Sequence, residues 1–266
     1  MILLIDSGNS RIKIGWSLNK NGCIHREPHV KIFDNLNIRS LGQWLSCLPK
    51  KPNHALGVNV AGKHRENVIE NELNNINCKI EWIVAQTRTS ILINEYKNPN
   101  QLGADRWAAM LGIVEKQKKI HPPLIVASFG TTTTIDIISP NNIFIGGIIL
   151  PGSFMMRQSL TNGTANLPMS SGESIDLPLD TINSINSGVS SAQSGALARQ
   201  CIITFKKYNE FPIIYVTGGL WLELEKETRQ LINEIAFKSR SEKKTEIIYE
   251  NRPVLDGLAI ISRNYN

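Results

Sequence analysis

The chain is poor in the features that mark several common protein classes. Its 266 residues hold four cysteines, Cys23, Cys47, Cys78 and Cys201, none close to another in sequence. No C-x-x-C is present, so neither a redox pair nor a zinc knuckle is encoded, and the thiols are expected to stay reduced, as in a cytosol. His25 and His29 flank Pro28 in a polar, loop-like stretch and read as surface residues rather than a metal pair. Long apolar runs are missing too. The longest, Ile143–Leu150, falls far short of the roughly 20 residues that span a bilayer. The opening run Ile2–Ile5 ends at Asp6 without the basic and apolar regions of a signal peptide. The expectation is a cytoplasmic protein with no membrane partner.

Several ligand-binding and catalytic signatures are absent as well. Gly62-Lys63 is followed by His64, so no P-loop exists, and neither G-x-G-x-x-G nor G-x-S-x-G occurs. A nucleotide, if bound, must be held by another device. No block of five basic residues appears, and the aromatics, 6% of the chain, are not interleaved with basic residues as in a stacking platform. Nucleic acid is therefore not the expected partner.

What is present points to an α/β protein of two domains. The chain is 41% hydrophobic and 20% charged, ordinary values for a sequence that can bury a sizeable core. The charge is lopsided. Residues 1–121 carry 17 Lys and Arg against 10 Asp and Glu, a net of +7, while residues 122–266 carry 12 against 13, a net of −1. A basic first half suits anions such as phosphate esters. His121-Pro122-Pro123 is the clearest break, which places domains at 1–121 and 122–266.

Each half opens with the same grammar. In the first, the apolar run Ile2–Ile5 meets Asp6, Ser7, Gly8, Asn9 and Ser10, and Arg11, Ile12, Lys13 and Ile14 then alternate as a half-buried strand does. Gly8 lets backbone N–H groups approach an anion, Lys13 can return as a point charge, and Asp6 at the strand end is placed to hold a metal-bound water. An ordinary Asp-x-Gly turn is the other reading of the same residues. In the second half, Leu124–Ala127 breaks at Ser128, Phe129 and Gly130, and Thr131–Thr134 lead into Ile135, Asp136, Ile137 and Ile138. The threonines either surround an anion-gripping turn or simply form a Thr-rich strand. Two such hairpins about 120 residues apart suggest related domains that share a nucleotide.

Between and after the hairpins, strands are expected at His29–Phe33, Ala55–Val60, Lys79–Val84, Asn142–Leu150, Pro212–Val216 and Ile247–Tyr249. Helices are expected at Ile38–Leu48, Arg65–Asn75, Leu102–Gln117, Ser153–Leu160, Thr181–Tyr208, Leu220–Asn233 and Val254–Asn264, and a long loop at Thr161–Asp180. Strands and helices thus alternate as in α/β folds with mixed sheets. Leu102-Gly103-Ala104-Asp105-Arg106 puts a carboxylate beside a guanidinium at a loop-to-helix junction. Arg106 can pair with a carboxylate and Asp105 can act as a base toward a hydroxyl; a capping Asp beside a solvated Arg fits the same residues.

Five motifs in order, DSGNSRIK at 6–13, LGADR at 102–106, FGTTTTID at 129–136, GGIILPG at 146–152 and VTGG at 216–219, resemble those of type III pantothenate kinases, including relatives described as Bvg accessory factors. The likeness covers nearly the whole chain. It implies two ribonuclease H-like domains with mixed five-stranded sheets, as in the superfamily of acetate and sugar kinases, Hsp70 and actin. It implies ATP-dependent phosphorylation of pantothenate at its primary hydroxyl, the first step of coenzyme A synthesis, with Mg²⁺ to neutralise charge. Asp6, Ser7, Gly8, Asn9, Ser10, Arg11, Ile12 and Lys13 would cradle the ATP phosphates, and Thr131 would contact ATP. Asp105 would be the general base. Tyr96, Gly103, Ala104, Asp105 and Arg106 would hold pantothenate, and Thr181 would reach the substrate across a homodimer interface. The family commonly has an Asp, ligand of a monovalent cation, where this chain has Ser128, so dependence on potassium or ammonium is not expected here. A non-catalytic regulatory accessory factor and a kinase of another small hydroxy acid are the alternatives.

Overall fold

A computed structural model describes residues 1–20, 23–34, 40–48, 50–169, 171–238 and 246–265. The chain divides into two compact units, Met1–Gln117 with Arg252–Asn266, and Lys118–Asn251. The first crossing of the chain therefore lies close to the His121-Pro122-Pro123 break, and the final segment packs with the first unit.

In the first unit the apolar opening becomes β1, Ile2–Ser7. It pairs antiparallel with β2, Arg11–Lys20, whose far side carries β3, Cys23–Arg26, and β4, Lys31–Asp34. Residues 11–14 of β2 pair β4 and residues 17–20 pair β3, so one edge position is shared by two short strands. Parallel to β1 runs β5, His54–Asn59, and beside it β6, Lys79–Trp82. The strand order is β3-β2-β1-β5-β6, with β4 also on β2. The single strand expected at His29–Phe33 is thus the second of two. His25, read as part of a loop, lies in β3 opposite Leu18, a pairing that its polar sequence did not announce.

Successive side chains of a strand point to opposite faces, so an unbroken apolar run signals a sheet covered on both sides. β1 obeys this. Leu3 and Ile5 pack with Leu41 and Leu45 of α1 (Leu41–Ser46) and Ile69 and Leu73 of α2 (Lys63–Asn74). Leu4 packs on the opposite face with Ala108 of α3 (Ala104–Val114) and Leu255 and Leu258 of α7 (Pro253–Ile261). Each such fully buried Leu or Ile contributes about 1.5–3 kcal/mol. The helix expected over Ile38–Leu48 is described from Leu41; positions 38 and 39 lie outside the described residues. A two-residue strand, β7 (Ile93–Asn94), and a 3₁₀ turn at Pro99–Gln101 precede α3.

α3 and α7 touch backbone to backbone. A Cβ on Gly112 would stand 2.4 Å from the Pro253 carbonyl, and one on Gly257 would stand 1.9 Å from the Ala108 carbonyl. Asp256 adds ion pairs to Arg26 and, at 3.0 Å, to Lys116. The segment Pro253–Ile261 therefore fixes the helix whose first turn carries Asp105.

The second unit repeats the strand order. β8 (Leu124–Phe129), β9 (Thr132–Ile138) and β10 (Ile143–Pro151) form an antiparallel meander, and β11 (Ile213–Thr217) and β12 (Ile247–Tyr249) add in parallel on the far side of β8. The five strands of this unit, in the order β10-β9-β8-β11-β12, match β3-β2-β1-β5-β6, the ribonuclease H-like arrangement in both units. α5 (Thr181–Tyr208) and α6 (Trp221–Lys238) cover one face through Leu197, Cys201, Trp221, Leu224 and Ile232, which meet Ile125, Ala127, Phe129 and Val216. α4 (Ser153–Gly163) follows β10 directly.

Candidate active site

The turn between β1 and β2 is short because the pairing runs to its last residues, Asp6 with Lys13 and Ser7 with Ile12. The Gly8 amide closes it by donating to the Arg11 carbonyl at 3.0 Å. Asn9, Ser10 and Arg11 are exposed at the tip, whereas Ser7 and Ile12 are wholly buried. The Ser7 hydroxyl donates to Asn59 Oδ1 at 3.0 Å, and the Ser7 carbonyl accepts from the Val60 amide at 3.0 Å. Asn59, at the end of the neighbouring parallel strand, thus ties the turn to β5.

Asp6 and Lys13 meet across the hairpin. Lys13 Nζ donates to Asp6 Oδ2 at 2.9 Å, with the lysine side chain 37% exposed and the aspartate 8%. An ion pair so open to water is worth about 0–1 kcal/mol. It adds little to the fold, so the lysine can exchange this partner for another anion at small cost.

α3 starts on the same unit. Gly103 precedes it, and a Cβ there would sit 2.8 Å from Asp105 Oδ1, so glycine leaves room for the carboxylate. Asp105 Oδ1 accepts the Arg106 amide at 2.8 Å. Burial raises the Asp105 carboxyl above its ordinary value, the Arg106 amide draws it partly back, and the Asp6 charge adds to the rise. The two carboxylates are within electrostatic reach of each other, which joins the strand-end aspartate and the helix-start aspartate in one polar region.

Arg106 is 7% exposed, which an arginine tolerates only when its charge is paired or hydrogen-bonded. One partner is Tyr96, whose hydroxyl accepts from Arg106 Nη1 at 3.2 Å. The Tyr96 backbone amide in turn donates to Asn94 Oδ1 at 3.0 Å. Asp6, Lys13, Tyr96, Gly103, Ala104, Asp105 and Arg106 all belong to the first unit.

Ser128, Thr131 and Thr181 stand on the second unit. The β8–β9 turn is Gly130-Thr131, with the Gly130 amide donating to the Thr132 carbonyl at 3.1 Å and Thr131 exposed. Two glycines press on its backbone. The Gly152 amide donates to the Thr131 carbonyl at 3.1 Å, and a Cβ on Gly152 would lie 2.1 Å from the Gly130 carbonyl. Gly218, at a φ of +101°, would put a Cβ 2.1 Å from the Phe129 carbonyl. The motifs ending in Pro151-Gly152 and Gly218-Gly219 therefore supply close approach to one turn. Ser128 pairs with Thr134 on one side and Thr217 on the other, a row of neutral hydroxyl residues across three strands.

Thr181 is exposed at the first position of α5, after Asp180, whose side chain accepts the Asn183 amide at 2.9 Å. It lines an open groove of about 840 Å³ with Met156, Leu160, Leu179 and Ile185. α4 runs from the Thr131 turn to this groove.

Half-buried Asn59, at the end of an expected strand, and buried Asn94, in a stretch without one, are given no role by the sequence, because an Asn gives no local signal of what its amide will bond.

A profile of the type III pantothenate kinase family matches residues 2–202. Proteins named type III pantothenate kinase from Bordetella bronchiseptica and Bordetella pertussis are each 48% identical over 264 residues, covering 98% of this chain and 97% of theirs. One from Verminephrobacter eiseniae is 32% identical over 243 residues, covering 88% of this chain and 93% of its own. Among solved structures, a conserved Campylobacter jejuni protein described as a Baf family transcriptional activator aligns with a TM-score of 0.52 at 20% identity, over 99% of this chain and 98% of that one. An exopolyphosphatase-like protein aligns with a TM-score of 0.50 at 10% identity, over 100% of this chain and 97% of that one.

Proposed function

The chain belongs to the type III pantothenate kinase family, and from that membership we propose that it transfers a phosphoryl group from ATP to the primary hydroxyl of pantothenate, the first step of coenzyme A synthesis. The observation that carries the assignment of roles is the grouping on one unit of the Asp6–Lys13 pair, Asp105 and the Arg106–Tyr96 pair.

Phosphoryl transfer asks a protein chiefly for alignment and for charge neutralisation. The exposed residues Asn9–Arg11 and the Gly8 turn receive the ATP phosphates, with Ser7 and Ile12 as their buried footing. Lys13 leaves Asp6 for a phosphate oxygen. Arg106, steadied by Tyr96, pairs with the pantothenate carboxylate, while Gly103 and Ala104 form the floor beside it. Asp105 Oδ accepts the hydroxyl proton as the alcohol attacks. A carboxylate held above its ordinary pKa is a stronger base than a free one, and late proton transfer asks no more of it. On the second unit, Thr131 is the ATP contact.

Among the described residues no group of three His, Cys, Asp or Glu can hold a metal by itself. Mg²⁺ would come with the nucleotide, and the buried Asp6 carboxylate at the strand end would hold it through a water. The ion, when bound, supplies neutralising charge at the transferring phosphate. Ser128 and its hydroxyl neighbours offer no carboxylate to a potassium or ammonium ion, so turnover runs without one.

The active form is a homodimer in the cytoplasm, with Thr181 reaching pantothenate in the partner copy. Apolar residues that line the Thr181 groove, Leu160, Ile185 and above all Leu179 at 98% exposure, support a covered face there. Light scattering is expected to return twice the 29.7 kDa chain mass, and the monomer mass contradicts the dimer. No helix among the described residues is long and apolar enough to cross a membrane, and Cys47, Cys78 and Cys201 are free thiols.

A coupled ADP assay over a panel of small hydroxy acids tests the reaction. Pantothenate is expected to give the highest kcat/KM. A different acid leading the panel makes this a kinase of that acid, and ATP left intact with every acid makes the protein a non-catalytic factor.

A further inference from the structure

We propose that Asn94 is a positioning residue for the substrate-carboxylate site, acting through Tyr96; the inference rests on the reading of Tyr96 and Arg106 as the pantothenate-holding pair. Asn94 is 4% exposed, one of few deeply buried polar residues of the first unit. Both ends of its amide are used. Nδ2 donates to the Gln86 carbonyl at 3.1 Å and, at the long limit of 3.5 Å, to the Pro99 carbonyl. Oδ1 accepts the Tyr96 amide at 3.0 Å, and the Asn94 backbone amide donates to the Thr87 carbonyl at 2.9 Å.

The segment these bonds close, residues 86–102, has little regular structure of its own. It contains a two-residue strand and one 3₁₀ turn, so few ladder bonds fix its shape. The Thr89 amide and hydroxyl and the Asn94 amide close its tip over residues 87–94, and the buried Asn94 side chain ties that tip onward to Tyr96 and Pro99, joining three points of the segment. Tyr96 sits two residues beyond Asn94, and its hydroxyl accepts from Arg106 Nη1 at 3.2 Å. The chain of contacts runs from the Asn94 amide to the Tyr96 backbone, from the Tyr96 ring to its hydroxyl, and from there to the guanidinium. Removing the amide leaves the Gln86 carbonyl and the Tyr96 N–H without their partner, and the segment must shift to rehydrate them. The shift misplaces the tyrosine and loosens the guanidinium, with the Asp6–Lys13 turn untouched. Asn94 need not touch substrate; its effect is confined to the side of the reaction that Arg106 serves.

The test compares Asn94→Ala and Asn94→Asp with wild type on two acceptors, pantothenate and the analogue in which an alcohol replaces its carboxylate. Asn94→Asp keeps the acceptor for Tyr96 and loses the donor, and it stands in if the alanine variant does not fold. On pantothenate the variants are expected to raise KM about tenfold, the size of a lost hydrogen bond or two, with kcat and the KM for ATP within about twofold of wild type. On the alcohol analogue, variant and wild type are expected to have equal kcat/KM, because the guanidinium then has no anion to hold. Asn94→Ala combined with Tyr96→Phe should be no worse than the worse single change. An equal penalty on both acceptors, a raised KM for ATP, or unchanged pantothenate KM overturns the proposal. Wild-type turnover separates the two levels of argument: without it the functional reading falls and takes this inference with it, and with it only the inference is at stake.

Discussion

The β1–β2 turn and the β8–β9 turn occupy the same place in two runs of five strands with the same order, yet they are built from opposite materials. The first is flanked by charge: Asp6 and Lys13 paired across it, Asp105 and Arg106 at the start of α3 on the same unit. The second is flanked by neutral hydroxyls, Ser128, Thr131, Thr132 and Thr134, and its backbone is braced by Gly152 and Gly218. Duplicate topology has not produced duplicate chemistry. One turn exposes Asn9, Ser10 and Arg11 at its tip beside a weak ion pair, where a ligand can exchange for the pair. The other is clasped by its own chain, which makes it rigid and intolerant of a single added methyl.

The largest expected effect lies on the charged side. Asp105→Asn keeps an oxygen for the Arg106 amide but cannot take a proton, and turnover should drop roughly 10²–10⁴-fold with nucleotide binding kept. In wild type the acid limb of kcat/KM should lie above the ordinary carboxyl value of 3.8, since burial and Asp6 raise Asp105. The sign for stability runs the other way. A carboxyl whose folded value is raised stabilises the fold while protonated, and loses that contribution as the pH climbs through the folded value. At neutral pH wild type bears the cost of the buried charge and Asp105→Asn does not, so thermal unfolding of the variant should come no earlier than wild type. Lower Tm together with intact turnover would make Asp105 a structural cap.

The next effect contrasts the turns directly. Gly152→Ala and Gly218→Ala force a methyl to 2.1 Å from a carbonyl oxygen, and each should cost about 1–3 kcal/mol of stability in denaturant titrations. Gly8→Ala places its methyl 3.3 Å from the Arg11 carbonyl, a contact that a few tenths of an ångström relieve, so the fold should hold while the KM for ATP rises. Equal destabilisation at all three positions would erase the distinction between a clasped turn and an open one.

The smallest effect is an expected indifference. Replacing sodium by potassium or ammonium at constant ionic strength should alter turnover by less than about twofold, because Ser128 supplies no charge to such an ion. Strong activation would mean that other oxygens build the cation site.

Much of this was legible in the chain. The run Ile2–Ile5 announced a doubly covered strand because only a strand buried on both faces can be apolar at every position. α5 was expected at Thr181–Tyr208 and spans those residues, since Asp180 supplies a capping oxygen and Asn209 takes up the left-handed conformation that ends it. Asp6, Lys13, Asp105 and Arg106 were nameable from their chemical types, whereas Tyr96 came only with the family resemblance. Less legible were features that depend on distant partners. β3 is polar and short, and it becomes a strand because β2 is long enough to pair with two neighbours in succession. α7 reads as a helix at the chain's end, but nothing local says that Gly112 and Gly257 will seat it against α3. Asn94 carries no pattern at all, because a buried amide that serves backbone groups looks in sequence like any polar loop residue.

The account stands most directly on one measurement: phosphorus NMR of the purified protein with ATP and Mg²⁺, with and without pantothenate. Consumption of ATP only when pantothenate is present, with one new phosphomonoester signal growing in step with ADP, is the result predicted. Release of inorganic phosphate at the same rate in both samples, or ATP untouched in both, contradicts it.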